Sequence, residues 1–234
     1  MNNEQNKTIL LVEDEKSIRG FIKINLQRND FLVIEAASGE EALSKMHTQK
    51  IDLAILDVML PGIDGYHVCK EIREAYPQVG IIMLTAKSQD MDKIIGLEFG
   101  ADDYMIKPFN PLELVLRVKA LIRRTGNTTD NSSENILIHG PFKIEVDAQR
   151  AYKNDIELDL TPKEYMLLKI FIENAGKALK RDDLLDMAWG YNFMGDSKLV
   201  DVNIRRLRSK IEDDASNPTF IETVWGTGYR WHKN

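Results

Sequence analysis

Residues 53–65 read LAILDVMLPGIDG: four apolar residues in a row stop at Asp57 and run into a Pro61-Gly62 turn. A continuous apolar run bounded by turn residues suits a strand buried on both faces, as in a parallel sheet with helices on each side. The pattern repeats outward in both directions. Candidate strands are Thr8–Val12, Leu32–Glu35, Leu53–Leu56, Gly80–Leu84 and Tyr104–Ile106. Between them, helical spacing fits Ser17–Gln27, Ser38–His47, Tyr66–Ala75, Met91–Phe99 and Pro111–Arg124. Ser38 and Glu41 have the spacing of a capping box, and Asn110 stands as a cap before Pro111. Five such units predict an α/β domain with a doubly wound five-stranded parallel sheet, whose ligand site forms beyond the carboxyl ends of the strands.

That rule makes the strand tips informative. The first strand runs into Glu13-Asp14, the third into Asp57, the fourth into Thr85 and the fifth into Lys107-Pro108. All should converge on one edge of the sheet. Three carboxylates at one place repel each other unless a cation joins them, and Mg²⁺, a hard oxygen-seeking ion, fits. Asp57 could then act as a nucleophile that forms an aspartyl phosphate. Mg²⁺, Lys107 and the Thr85 hydroxyl would offset the charge on the transferred phosphoryl oxygens. Taken singly, each residue has a plainer reading: Glu13-Asp14 caps a helix, Thr85 sits in a turn and Lys107 is solvated. Their strand order is what joins them.

The chain has 234 residues, 43% hydrophobic and 29% charged, which is globular and sized for one or two domains. Its longest apolar runs are four residues, so no segment is predicted to span or bind a membrane. The polar start MNNEQNKT lacks an apolar signal core, which points to a cytoplasmic protein. Cys69 is the sole cysteine, so no internal disulfide or cysteine metal cluster exists. Residues 125–135, TGNTTDNSSEN, hold no large apolar side chain and read as a flexible linker between domains at 1–124 and 136–234.

The second domain begins with short β-like stretches, Ile136–His139, Phe142–Glu145, Ala151–Lys153 and Ile156–Leu158. Thr161-Pro162-Lys163-Glu164 then opens a helix with a cap, a proline at the first position and a glutamate reaching back. Further helices fit Arg181–Ala188 and Leu199–Glu212, the latter capped by Asp196 or Ser197. Phe220–Val224 and Tyr229–His232 flank the turn Trp225-Gly226-Thr227-Gly228. Helices followed by a terminal hairpin predict a winged helix-turn-helix of α+β class.

The net charge of −6 hides a local patch: Lys198–Lys210 carries five basic residues against Asp201 alone. On an ideal helix Val200, Ile204, Leu207 and Ile211 form one apolar stripe. Lys198, Val202, Arg205 and Ser209 lie opposite, with Leu199 and Arg206 on a flank. Such a helix can enter the DNA major groove, where arginine reads guanine and Val202 or Leu199 meets a thymine methyl. A solvated surface helix has the same pattern.

The segments ILLVEDE, LAILDVMLPGIDG, IIMLTA and GADDYMIKPF together resemble the receiver domain of two-component response regulators, a flavodoxin/CheY-like fold, over residues 7–124. The segments TPKEYMLLKIF, RDDLLDMAWG, VDVNIRRLRSKIE and TVWGTGYRW resemble the winged-helix effector domain of the OmpR/PhoB family over residues 136–234. The resemblance implies that Asp57 accepts phosphate from a histidine kinase. Glu13, Asp14, Asp57 and the Met59 carbonyl would bind Mg²⁺, Lys107 would contact the phosphate, and Thr85 and Tyr104 would form a paired switch. It also implies a cis Lys107-Pro108 bond. Dimerisation in this family suggests ion pairs between copies: Lys93 with Glu113, Glu98 with Lys119, and Asp103 or Asp102 with Arg117. The DNA-facing set would be Lys198, Leu199, Val202, Asn203, Arg205, Arg206 and Arg208, with Thr227, Tyr229 and Arg230 from the wing. The loop Gly190–Ser197 falls where the family can contact RNA polymerase. Trp225 stands where some members carry a minor-groove arginine, so wing readout should differ here.

The expected function is therefore a phosphorylation-activated regulator that binds promoter DNA as a homodimer, without enzymatic turnover apart from slow autodephosphorylation. An aspartyl-phosphate phosphatase is the enzymatic alternative, but the acid such enzymes place two residues after the nucleophile is Met59 here. A regulator that acts through protein contacts without phosphate is the third possibility.

Overall fold

In a computed structural model, which describes residues 6–86, 99–123, 136–190 and 196–233, the apolar runs assemble into one parallel sheet. The chain divides into two compact units, Met1–Arg123 and Arg124–Asn234. In the first, the order is β1 (Thr8–Val12), α1 (Lys16–Gln27), β2 (Leu32–Ala36), α2 (Gly39–Thr48), β3 (Leu53–Asp57), α3 (Gly65–Ala75), β4 (Gly80–Ala86), β5 (Asp103–Lys107) and α4 (Pro111–Arg123). The strands lie in the order β2-β1-β3-β4-β5, every neighbouring pair parallel. Lys93, Glu98, residues 91–98 of the expected fourth helix and the linker 125–135 lie outside the described residues.

The two-residue period of the strands sorts the core onto two faces. Leu10, Val12, Ala54, Leu56, Ile81 and Met83 point one way and pack with Ala42, Met46, Val68, Cys69 and Ile72 of α2 and α3. Ile9, Leu11, Leu53, Ile55, Ile82 and Leu84 point the other way, against Ile22 and Leu26 of α1 and Leu114, Val118 and Leu121 of α4. Each fully buried Leu or Ile stabilises the fold by about 1.5–3 kcal/mol relative to exposure. Among the described residues no helix is long and apolar enough to cross a membrane.

The cap at α2 is only half of a capping box. The Glu41 N–H donates to Ser38 Oγ at 3.3 Å, but the Glu41 carboxylate accepts from the Ala37 N–H at 2.7 Å and does not return to Ser38. At Thr161 both bonds form: the Glu164 N–H donates to Oγ1 at 3.3 Å and the Thr161 N–H donates to Glu164 at 2.9 Å.

The second unit opens with a four-stranded antiparallel sheet, β6 (Ile136–His139), β7 (Phe142–Glu145), β8 (Arg150–Lys153) and β9 (Ile156–Glu157). It continues with α5 (Pro162–Glu173), β10 (Ala178–Lys180), α6 (Arg181–Trp189), α7 (Lys198–Ile211), β11 (Ile221–Val224) and β12 (Gly228–Trp231). β10 is an addition to the sequence reading. Its three residues are too few for a periodic signal, yet they pair antiparallel with β12 and turn the terminal hairpin into a three-stranded sheet, β10-β12-β11. The approach is close at Gly228, where a Cβ would lie 2.2 Å from the Leu179 carbonyl oxygen. Trp231 is buried and joins the layers, its ring centroid 5.2 Å from Phe142 of β7 and 5.7 Å from Phe220.

Gly65 links the fold to the tip of β3. A Cβ there would sit 2.0 Å from the Asp57 carbonyl oxygen, a backbone atom that cannot step aside. Gly65→Ala should therefore destabilise the first unit by about 1–3 kcal/mol through overpacking. Urea denaturation would read this, and an unchanged midpoint would show that the β3–α3 turn is less tightly held than its geometry indicates.

Candidate functional site

The parallel register brings the strand tips together. Glu13 and Asp14 follow β1, Asp57 closes β3 and Lys107 closes β5, all at the same edge. Carboxylate oxygens of Glu13, Asp14 and Asp57 lie within 4.8 Å of one another, with Glu13 and Asp57 buried and Asp14 exposed. From the far end of the sheet the Lys107 ammonium donates to Glu13 Oε2 at 2.7 Å and to Asp57 Oδ2 at 2.8 Å. The Met59 N–H donates to Asp57 Oδ1 at 3.3 Å, and the Met59 side chain is exposed. Thr85, near the tip of β4 on the same edge, is buried, its hydroxyl donating to the Ala86 carbonyl at 3.3 Å. Tyr104, half-buried, packs at the edge of the core formed with α2 and α3. The Lys107-Pro108 bond is cis.

The acids are crowded enough to perturb one another. Burial holds the Glu13 carboxyl above the ordinary range, against the pull of the Lys107 hydrogen bond and with help from the Asp57 and Asp14 charges. Burial works against the Lys107 ammonium as well, but its hydrogen bonds to Asp57 and Glu13 outweigh that and raise its pKa. Three hard oxygen donors with one ammonium among them suit a divalent cation such as Mg²⁺, and Glu13, Asp14 and Asp57 are the residues that could hold it.

One residue of this site escaped the sequence reading. Arg19, in the first turns of α1, donates to the Glu13 carbonyl at 2.5 Å and the Asp14 carbonyl at 3.1 Å, so it braces the loop that carries both acids. Its guanidinium is anchored by Glu35 of β2 at 3.5 Å. A cation one turn into the helix after the acid pair was the available signal.

The basic helix α7 is more deeply embedded than its apolar stripe implies. Val200, Ile204, Leu207 and Ile211 are buried as expected. Leu199 and Asn203 are fully buried too, because α7 packs against both α5 and α6 and so hides a wider arc than one stripe. These two residues are therefore withdrawn from the DNA-facing set. Lys198 and Arg205 are exposed, and Val202 and Arg206 are half-buried. Arg208 turns inward to the hairpin, donating to the Ile221 carbonyl at 2.6 Å and to Thr223 Oγ1 at 3.0 Å. Tyr229 is buried, with its hydroxyl donating to Asp201 at 2.7 Å. Both are wing-holding groups and not surface readers. Arg230 is exposed and pairs with Glu222 at 2.7 Å, and Thr227 is half-buried in the wing turn.

The residues assigned to a dimer face also find partners within one chain. Asp102 is fully buried, accepting from Arg73 at 2.7 Å and from the Ile81 N–H at 2.9 Å, so it is excluded from any surface. Arg117 donates to Asp103 at 2.9 Å and to Glu113 at 2.6 Å, which makes these pairs intramolecular. Lys119 donates to Asn29 Oδ1 at 2.7 Å.

A doubly wound sheet with an acid-lined edge, followed by a winged helix with a basic helix, defines the class of phospho-acceptor receivers joined to DNA-binding effectors. The chain belongs to the two-component response regulators of the OmpR/PhoB family. Residues 9–119 match the response regulator receiver domain, and residues 155–231 match the family described as transcriptional regulatory protein, C terminal. It is 46% identical over 231 residues to the alkaline phosphatase synthesis transcriptional regulatory protein PhoP of Bacillus subtilis (strain 168), covering 96% of each chain. The transcriptional regulatory protein ResD of the same organism is 40% identical over 238 residues, covering 99% of this chain and 98% of ResD. The crystal structure of DrrB, an OmpR/PhoB homologue from Thermotoga maritima, matches at 34% identity with a TM-score of 0.53, covering 97% of this chain and 100% of that one. The protein is accordingly a phosphorylation-activated transcription regulator, not a turnover enzyme, with a sensor kinase and DNA as its partners.

Removing Lys107 leaves two buried carboxylates without their cation. Breaking a buried ion pair costs about 3–5 kcal/mol, and solvent access to Lys107 (side chain 20% exposed) lowers the expectation for Lys107→Ala to about 2–3 kcal/mol. Denaturation without divalent cations would measure it, and no loss of stability would mean that the two ion pairs contribute nothing.

Proposed function

We propose that Asp57 is the phosphoacceptor. The observation that carries this is the Lys107 ammonium within 2.8 Å of Asp57 while two further acids stand beside it. An Asp57 carboxylate oxygen attacks the phosphorus of a kinase phosphohistidine, forming the O–P bond as the N–P bond breaks. Lys107 then shifts from the carboxylates toward the new phosphoryl oxygens, and the Thr85 hydroxyl turns from the Ala86 carbonyl to meet another. Glu13, Asp14 and Asp57, with the Met59 carbonyl, would hold Mg²⁺. Bound Mg²⁺ supplies charge neutralisation for the transferred phosphoryl group. Tyr104 follows Thr85 inward, and that displacement is the signal. Slow autodephosphorylation resets it.

The signal favours pairing of two copies through the α4–β5 face, where Lys119 and Glu113 reach solvent, while Asp103 is buried and contributes by holding Arg117 from beneath. The exposed side chains of Leu112 and Leu116 support this reading, and Lys93 and Glu98 belong to the same proposed interface. Promoter DNA meets α7 through Lys198, Val202, Arg205 and Arg206, with Thr227 and Arg230 of the wing near the backbone. The loop Gly190–Ser197, of which residues 191–195 lie outside the described residues, is the proposed RNA polymerase contact. Cytoplasmic location follows from these partners.

Two variants test the two ends of this account. With Mg²⁺ and a small phosphodonor, intact mass should show one added phosphate on the unaltered chain and none on Asp57→Asn. Chelating the divalent cation should suppress uptake equally, and a phosphate on Asp57→Asn would move the acceptor elsewhere. Arg206→Ala should weaken binding to a cognate duplex by about 1–3 kcal/mol and relax its sequence preference. Unchanged affinity and preference would remove Arg206 from the reading surface.

A further inference from the structure

We propose that Asp201, Tyr229 and Arg181 form a polar clamp that sets the wing against the recognition helix, and that Asp201 and Tyr229 are positioning residues for DNA readout. This rests on α7 and the wing being the DNA-binding elements.

Three elements meet at this point. Asp201 comes from the first turn of α7, Arg181 from the start of α6 and Tyr229 from β12, the central strand of the terminal sheet. Asp201 Oδ1 accepts from the Tyr229 hydroxyl at 2.7 Å and from Arg181 Nε at 2.8 Å. Arg181 Nη2 reaches the Tyr229 oxygen at 3.4 Å. Two guanidinium groups also lie over the phenol ring, Arg181 at 4.9 Å and Arg208 at 5.4 Å from its centroid. Arg208 extends the connection along α7, its guanidinium bound to the backbone and hydroxyl of β11. Burial, with Asp201 beside it, pushes the Tyr229 phenol up to about 12, so the hydroxyl stays a donor.

An apolar contact would hold the wing to α7 equally well as far as burial is concerned, but it would not fix an orientation. Hydrogen bonds with charged partners are directional, and a fully satisfied network specifies one arrangement of the elements it joins. The turn beyond the clamp is short: the Thr227 N–H donates to the Val224 carbonyl at 3.0 Å, and Gly226 takes a positive φ of 75°. Helix and wing must engage one duplex together, so a hinge between them would cost ordering entropy at each binding event. The clamp removes that hinge in advance.

The chain carries its own reporter of wing position. Trp225, at the turn, is 91% exposed, whereas Trp189 and Trp231 are 4% and 1% exposed. Quenchable, solvent-exposed indole emission therefore comes from the wing. The test uses the full chain activated with a small phosphodonor, and two probes: a duplex that the unaltered protein selects from a random pool, and a random-sequence duplex. Tyr229→Phe keeps the ring and removes one hydroxyl, and Asp201→Asn keeps the shape and removes the charge. Each should weaken the selected duplex about 5–10-fold, the scale of one hydrogen bond whose charge is screened by solvent, and the random duplex less than about twofold. The anisotropy of the quenchable emission should fall in both variants, and the double variant should be no weaker than the worse single one. Unchanged anisotropy with unchanged affinity overturns the clamp, as does parallel weakening of both duplexes in step with a lower melting temperature. If the unaltered protein selects no sequence, the DNA-binding surface itself is misassigned, a failure separate from the clamp's.

Discussion

Three carboxylates converge at one edge of a parallel sheet, and the Lys107 ammonium is what makes that convergence tolerable before any metal or phosphate arrives. The sheet cannot avoid the crowding, since parallel strands present all their carboxyl ends on one side. The acids lie at the tips of β1 and β3, neighbours at the centre of the sheet, and Lys107 reaches them from the edge strand β5. The remaining features of the first unit serve this placement. Gly65 lets the turn after β3 close onto Asp57, and Arg19 holds the carbonyls of the acid pair.

The two units solve opposite electrostatic problems with similar means. In the first, like charges are concentrated and one cation is shared among them. In the second, the cations of α7 are divided between tasks. Arg208 is committed to the hairpin, while Lys198 and Arg205 remain at the surface. Between helix and wing, the Tyr229 ring lies against Arg208 of α7 and Arg181 of α6, and Asp201 accepts from Arg181.

Much of this was legible in the sequence because it depends on period and order alone. Apolar runs ending in Glu13-Asp14, Asp57 and Lys107 announce both the sheet and the edge at which the groups meet, and Thr161-Pro162-Lys163-Glu164 announces its own capping box. What stayed hidden depends on how wide an arc a helix buries and on which partner a charge finds. Leu199 and Asn203 lie beside the apolar stripe of α7, and only the packing of α5 and α6 shows them to be interior. Asp102 and Asp103 are adjacent in sequence, yet one is sealed beneath Arg73 and the other meets Arg117. β10 has three residues and no signal of its own until β12 lies beside it.

The intrachain pairs of Arg117 have a thermodynamic consequence for self-association. Arg117 already holds Asp103 and Glu113; burial works against its charge, but those two acids outweigh burial and raise its pKa, so it is not short of counter-charge. A second copy that offered the same acids would replace equivalent bonds and add almost nothing to the Coulomb energy. Any preference for two copies over one must then come from desolvated aliphatic surface and from small shifts in backbone position. The proposed pairing would accordingly be governed by displacements of backbone and aliphatic surface and not by the number of its charges, which is what lets an internal movement control it.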